Sequence, residues 1–234
     1  MKVTALAKIL ISLFIINSMI SAKDSGPPPP PLEVSDQVWY FGIIPKDSWV
    51  SHHYFLTNPH EDTVTITGIT PGCDCTHAPK PPIKIAPGET YTFKILFDTR
   101  TYFGETNRDI LLETDYAPNA ELELFFASEV ARPIDRINIK PLSTVFISGI
   151  NEQTLSIRNT SGNDLKIRMV LDNDSSLTAN PMEFDLDKNS SRQVLITPAW
   201  DKFKTGSHYH CISVDIDGPP GLSRVTIPVK VNKF

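Results

Sequence analysis

Cysteine is scarce in this chain: three residues in 234, at positions 73, 75 and 211. So few exclude a small fold stapled by many disulfides. Basic clusters are missing too. Twenty-two Lys and Arg face 27 Asp and Glu, for a formal charge of -5, and no basic residues interleave with aromatic ones. Nucleic-acid binding is therefore not expected, and the acidic excess reads as a solvated surface. No apolar run after the first residues resembles a membrane span. Capped amphipathic helices, Gly-rich phosphate loops and nucleophile elbows are all absent from the pattern. Asp185 with Asp187, and Asp215 with Asp217, flank strand-like runs and read as solvated faces. The expectation is a protein that is not an enzyme and has no cofactor.

What is present begins with an export signal. Met1-Lys2 and Lys8 are followed by the apolar run Ile9 to Ile16, then by the small residues Ser18, Ser21 and Ala22. Residues 1–22 read as a signal peptide cleaved after Ala22, with an uncleaved anchor as the alternative. The expected location is the periplasm or cell envelope, or outside the cell. Residues 23–32 form a Pro-rich linker, whose run Pro27 to Pro31 favours extended polyproline II.

Beyond Leu32 the period is two. Phe93, Ile95 and Phe97 alternate with Thr92, Lys94 and Leu96, and Leu122, Leu124 and Phe126 alternate with Glu121, Glu123 and Phe125. Val225, Ile227, Val229 and Val231 follow the same rule, with Pro228 suggesting an edge strand or a bulge. Short alternating runs broken by Gly, Pro, Asn and Asp mean half-buried antiparallel strands. The pattern also repeats. Tyr54, Leu56, Val64 and Ile66 surround Asn58 at the offsets at which Leu155, Ile157, Leu165 and Ile167 surround Asn159. The copies lie 101 residues apart at Asn58 and Asn159, and 103 apart at Leu122 and Val225. A strand-only unit of this size matches an immunoglobulin-like sandwich. The chain therefore reads as all-β, with two tandem immunoglobulin-like β-sandwich domains at 33–131 and 134–234, after the signal peptide and tether.

The segment Gly72-Cys73-Asp74-Cys75-Thr76 carries the only chemistry that stands out. A disulfide between Cys73 and Cys75 closes a very small ring, and an oxidising compartment favours pairing over free thiols. The other reading is a metal site. In an extended segment Cys73, Cys75 and His77 project to one side, and two thiolates with an imidazole suit copper(I) or zinc. His52, His53 and His60 are candidates for a fourth ligand. Cys211 falls on the outward parity with Ser213 and Asp215, and reads as a lone cysteine, free or buried. His208 and His210 read as rim residues. Trp39, Trp49 and Trp200 read as core or edge aromatics. Asn159, Asn173 and Asn189 each begin a glycosylation triplet, which matters only in a eukaryotic source.

Several blocks point to a family. Val38-Trp39-Tyr40-Phe41-Gly42-Ile43-Ile44, Phe55 to Asn58, Ile69 to Thr76, Ile85 to Glu89, Phe97-Asp98-Thr99 and Gly104 occur in order over residues 34–130. They resemble a bacterial domain-of-unknown-function family, number fifteen-seventy-three, whose signature is Cys-Gly-Cys-Thr. Here Asp74 replaces the signature Gly, and the second copy lacks the cysteines. The resemblance implies an immunoglobulin-like sandwich related to the hydin type, and export to a Gram-negative periplasm, with no established activity. The first reading of function is an exported, non-enzymatic interaction or scaffold protein whose protein partner pairs with an exposed strand edge. The alternatives are a periplasmic thiol- or metal-handling protein and a two-domain pilus-type chaperone. For the latter, Arg132 and Arg136 near the joint are the candidate basic pair.

Overall fold

The structure is a computed structural model that describes residues 28–117, 119–171 and 175–234. The signal-peptide reading and the Asn173 triplet lie outside those residues. Among the described residues the first half holds β1 (Glu33–Val34), β2 (Val38–Ile44), β3 (Trp49–Thr57), β4 (Val64–Pro71), β5 (Thr76–His77), β6 (Ile83–Ile85), β7 (Thr90–Asp98), β8 (Gly104–Thr114) and β9 (Glu121–Val130). The second half holds β10 (Ile137–Lys140), β11 (Thr144–Ile147), β12 (Gln153–Asn159), β13 (Leu165–Leu171), β14 (Leu177–Asn180), β15 (Glu183–Leu186), β16 (Ser191–Pro198), β17 (Gly206–Asp217) and β18 (Ser223–Lys233). Between β16 and β17 lies a 3-10 turn, Trp200–Lys202.

Alternation dictates the burial. β9 buries Leu122, Leu124 and Phe126 and exposes Glu121 and Glu123. β12 buries Leu155 and Ile157 and exposes Thr154, Ser156 and Arg158. One core gathers Phe41, Tyr54, Phe93, Phe97 and Phe126, and another gathers Phe146, Ile157, Ile167, Ile196 and Ile227. Each half has one four-stranded sheet, β1-β3-β7-β5 and β10-β12-β16-β14. The first strand of each sandwich is split. β1 pairs antiparallel with β3, then β2 crosses to pair parallel with β9; β10 and β11 do the same with β12 and β18.

The repeat seen in the pattern is repeated in hydrogen bonds. Asn58 is fully buried, and its Nδ2 donates to Asp62 O at 2.8 Å and Ile85 O at 2.9 Å, while its Oδ1 accepts from His60 N–H. Asn159 is also fully buried, and donates to Asn163 O at 2.8 Å and Leu186 O at 3.0 Å, while accepting from Ser161 N–H. Every partner sits at the same offset. A buried carboxamide satisfied on all sides ties three chain segments together at modest net gain per bond, and leaving those groups unmade is costly.

The second sheets of the two sandwiches are not separate. They join into one ten-stranded sheet in the order β15-β13-β17-β18-β2-β9-β8-β4-β6, with β11 also on β18. The junction is β2 against β18, where Ile43 pairs with Val225. Backbone approach there is close. Gly42 has φ +70°, and a Cβ on it would stand 2.2 Å from Arg224 O. Glycine meets both demands, since it tolerates positive φ and presents no side chain. The expectation that Pro228 marks an edge or a bulge is corrected by this arrangement. β18 is interior, and Pro228 falls between the stretch taken by β2 at Val225 and that taken by β11 from Val229 onward. Its missing N–H lies in the gap between two neighbours, so no ladder bond is lost.

Candidate functional site: the cysteine loop and the seam between the sandwiches

β4 ends at Pro71 and the chain turns through Gly72 to Cys75 before β5. Backbone bonds fix the loop. Gly72 N–H donates to Asp109 O at 2.9 Å, Thr76 N–H to Cys73 O at 3.2 Å, and Asp98 N–H to Cys75 O at 2.9 Å. Cys73 and Cys75 are joined as a disulfide, with Cα atoms 5.2 Å apart. Cys75 is buried in the first core, and Cys73 packs at its margin, partly exposed. The Thr76 hydroxyl lies 3.4 Å from Cys73 Sγ and 3.8 Å from Cys75 Sγ.

The alternation argument for Cys73, Cys75 and His77 assumed an extended segment. The structure corrects that premise, because residues 72–75 turn and only Thr76 and His77 are extended. In the disulfide form neither sulfur is a thiolate, which is the form that binds soft metals. No group of three or more His, Cys, Asp or Glu arranged to hold a metal occurs among the described residues. His77 is exposed, and its ring lies 5.0 Å from that of Trp49. His60 stacks on Tyr116 at 4.0 Å, and its Nε2 lies 3.1 Å from Pro30 O, at the end of the tether. His52 stacks on Trp39 at 4.0 Å, in the seam between the sandwiches.

That seam is what the pattern missed. The outward parity of β17 places Tyr209, Cys211, Ser213 and Asp215 on a face read as solvated, yet Cys211, Ser213 and Asp215 are buried. For Cys211 and Ser213 the reason is β3, whose own outward face packs on this part of β17. Trp49 and Tyr209 rings are 5.4 Å apart, and Cys211 Sγ donates to Ser51 O at 3.0 Å. Cys211 therefore packs into the first core from a strand of the second sandwich. A cavity of about 190 Å³ lies along the seam, between Trp39, His52 and His53 on one side and Leu171, Cys211 and Ser213 on the other. The sequence did hold a signal. The outward residues Ser51, His53, Cys211 and Ser213 carry no fixed charge, whereas the corresponding face of β9 carries Glu121, Glu123 and Glu129.

Asp215 is the charged exception, and it is paired. Arg224 Nε lies 2.5 Å from its Oδ1, and Arg168 Nη2 lies 2.7 Å from its Oδ2. Burial pushes the carboxyl up, but the hydrogen bonds and charges of Arg224 and Arg168 outweigh it and hold Asp215 below its ordinary value. Arg224 also donates to Tyr40 O at 2.9 Å and lies 4.6 Å over the Trp39 ring, and the Thr226 hydroxyl donates to Phe41 O. One guanidinium thus ties a buried acid of the second sandwich to backbone and indole of the first. Tyr40 hydroxyl donates to Glu129 at 2.6 Å, and burial together with that carboxylate raises its pKa to about 12.

The remaining candidates are structural. Arg132 pairs with Glu105 and Glu129, while Arg136 donates to Gly218 O at 2.9 Å and to Gly221 O, so the two do not converge. His210, read as a rim residue, is buried, with Nδ1 3.3 Å from Ser176 Oγ. His208 Nε2 lies 2.7 Å from Lys204 O. Trp200 Nε1 donates to Asn151 at 3.2 Å. Asn159 is spent in its buried clamp, while Asn189 is exposed at φ 62°.

With the loop and the split first strand in view, the family comparison is direct. Residues 32–130 match the family model described as a protein of unknown function, DUF1573. The match covers the first sandwich and its cysteine loop. Across solved structures, a protein of unknown function from Porphyromonas gingivalis W83 is 15% identical, covering 86% of this chain and 99% of its own at a TM-score of 0.39. The E. coli chaperone DraB is 14% identical over 43% of this chain and 56% of its own, at 0.38. The ASH/PapD-like domain 7 of human CEP192 is 15% identical over 46% of this chain and 94% of its own, at 0.37. None of these likenesses bears on activity. No curated protein matches the chain. Among the described residues no helix is long and apolar enough to cross a membrane.

Proposed function

We propose that this is an exported, non-enzymatic interaction module that receives an extended segment of a partner protein along the outer edge of β11. One observation carries the reading. Ten large hydrophobic residues are exposed among the described residues, and five of them, Leu142, Val145, Ile147, Ile150 and Phe234, gather on and beside β11. Phe234 is held there by its N–H, which donates to Ser148 Oγ at 2.9 Å. Isolated exposed apolar residues need no explanation, but a cluster on a strand edge is a template for another strand.

The molecule supplies its own precedent. β11 is the second-sandwich copy of β2, and the outer edge of β2 is met by a strand, β18. Among the described residues the outer edge of β11 meets no strand: the Gln153 side chain reaches Val145 O with its Nε2 at 3.5 Å, the outer limit of a hydrogen bond, and Ile150 N–H donates to Ile147 O at 2.9 Å. A groove of about 460 Å³ adjoins it, lined by Lys46, Lys230 and Asp47 with Trp49 and Tyr209, and Lys230 Nζ lies 5.5 Å over the Tyr209 ring. Main-chain pairing on β11 would supply affinity, and the groove would select an acidic residue on the incoming strand.

The test places a photo-crosslinking residue at Ser143, which lines the groove, in the full chain in its native envelope. A discrete partner should crosslink, and its yield should fall at least about ten-fold in the Val145→Lys, Ile147→Lys double variant, whose Tm should not move. No crosslink, or one indifferent to the two lysines, rules the edge out. Export is checked by cell fractionation and by sequencing the mature N-terminus, expected at Lys23.

A further inference from the structure

We propose that Cys73–Cys75 is a redox centre that exchanges its disulfide reversibly with an external dithiol, with Cys73 the sulfur attacked. The second sandwich is an internal control for what the bond does structurally. Ser176 stands where Cys75 does, and Ala199 N–H donates to Ser176 O at 2.8 Å, as Asp98 N–H donates to Cys75 O at 2.9 Å. The strand that follows pairs in the same register, Leu177 with Pro198 as Thr76 with Phe97. The bond and the strand register that follow the turn therefore form without sulfur. A bond between residues two apart also constrains the unfolded chain very little, because almost no loop is closed. The first sandwich carries a disulfide that its fold does not require.

The site is built asymmetrically. Cys75 is 8% exposed and packed in the core, whereas Cys73 sits at the rim within reach of solvent. Backbone bonds at Gly72, Cys73 and Cys75 hold the loop on both sides of the sulfurs, and none of them uses sulfur. Reduction therefore leaves the two thiols side by side, poised to pair again. A thiolate of the external dithiol attacks Cys73 Sγ; the Cys73–Cys75 bond breaks, and Cys75 leaves as a thiolate. The Thr76 hydroxyl, near both sulfurs, donates a hydrogen bond to it until it takes a proton. The second thiolate of the partner then attacks its own sulfur in the mixed disulfide and releases Cys73. Two electrons and two protons pass to the protein, and the partner becomes a disulfide. The exchange is stoichiometric and reverses with an oxidised partner.

The experiment equilibrates the native mature protein in buffers of reduced and oxidised dithiothreitol. It traps thiols with iodoacetamide and reads the Cys73–Cys75 peptide by mass spectrometry, which separates it from Cys211. Reversible reduction and reoxidation are expected, approached from both directions, with the fold retained by circular dichroism. Cys75→Ser should form a mixed disulfide with glutathione at Cys73, and Cys73→Ser should leave Cys75 at least about ten-fold slower to react. The proposal is overturned if the bond is reduced only where denaturant unfolds the protein. Equal reactivity at the two sulfurs, or a reduced pair that takes up zinc or copper and fails to re-pair, overturns it as well.

Discussion

The two sandwiches share a frame and differ at the positions where each meets something else. Asn58 and Asn159 share three side-chain bonds at the same offsets, with Asp187 O and the Ser161 hydroxyl added at Asn159, and the fully buried Phe41 and Phe146 occupy the same place on β2 and β11. Against that constancy three substitutions matter. Gly42 becomes Ile147, Cys75 becomes Ser176, and the exposed Glu113 becomes the buried Asp215. The difference teaches that the frame is set by the core and the clamp, while contact with the other sandwich, or with a partner, is set by residues that the frame tolerates in any form. β2 has the glycine that lets β18 approach, and β11 has an isoleucine whose side chain stands in solvent.

The strongest way to break the comparison is to give β2 the residue of β11. Gly42→Ile places a branched side chain at positive φ and against Arg224 O, and should cost about 4 kcal/mol from backbone strain and overpacking together. Urea unfolding followed by tryptophan fluorescence should lose the single transition expected of two joined sandwiches and show two. Ile147→Gly, at a residue that is 44% exposed and meets no strand on its outer side among the described residues, should cost only about 1 kcal/mol. A Gly42→Ile protein that unfolds like the parent would mean that β2 and β18 do not depend on close approach. Next come the clamps. Asn58→Ala and Asn159→Ala each leave several buried groups unpaired, and each should cost about 3 kcal/mol, equal to within about 1 kcal/mol. Widely unequal losses in the same denaturation assay would show that the two clamps are alike in geometry only.

How much of this was legible beforehand follows from what periodicity measures. Alternation reports one buried face per strand, so it located Leu122, Leu124 and Phe126, and through the offsets around Asn58 it revealed the repeat. It cannot report a second buried face. Cys211, Ser213 and Asp215 take the outward parity, yet β3 packs over Cys211 and Ser213, and Arg168 and Arg224 close over Asp215. Pro228 suggests an edge strand or a bulge for the same reason: a strand flanked by two short partners with a gap between them looks, in one dimension, like a strand with none. The cysteine pair is visible, and so is a turn-like segment around it, but the metal reading needs an extended one, because Cys73-Asp74-Cys75 has the same spacing in a turn as in a strand. The missing information in each case is contact between segments far apart in sequence.

Asp215 sharpens the comparison at lower cost. Its carboxyl is held below its ordinary value of 3.8, so the ionised form stabilises the fold at every pH above that value. That contribution is lost as pH falls below 3.8 toward the lower value of the folded protein. Asp215→Asn should cost roughly 2 kcal/mol at neutral pH, less than a fully buried pair because the Arg168 side chain is 60% exposed. It should also flatten the acid limb of stability against pH. Glu113→Gln, at the matching position in the first sandwich, should change neither quantity measurably. An acid limb that is the same in parent and Asp215→Asn would place the acid sensitivity elsewhere.

The smallest effect is the most pointed. Cys75→Ser copies Ser176 into the first sandwich and removes the disulfide. The backbone bond from Asp98 N–H to Cys75 O does not involve sulfur, and its counterpart at Ala199 and Ser176 forms without it. The loop closed by residues two apart is so short that chain entropy assigns the bond no more than about 1.5 kcal/mol. Thermal unfolding should therefore shift by only a few degrees, and a 2:1 mixture of reduced parent and variant should be inseparable by melting alone. A loss of the size expected for the Asn clamps would mean that the first sandwich depends on its disulfide where the second does without one. The redox reading would then give way to a structural one, and the two frames would be less alike than their hydrogen bonds indicate.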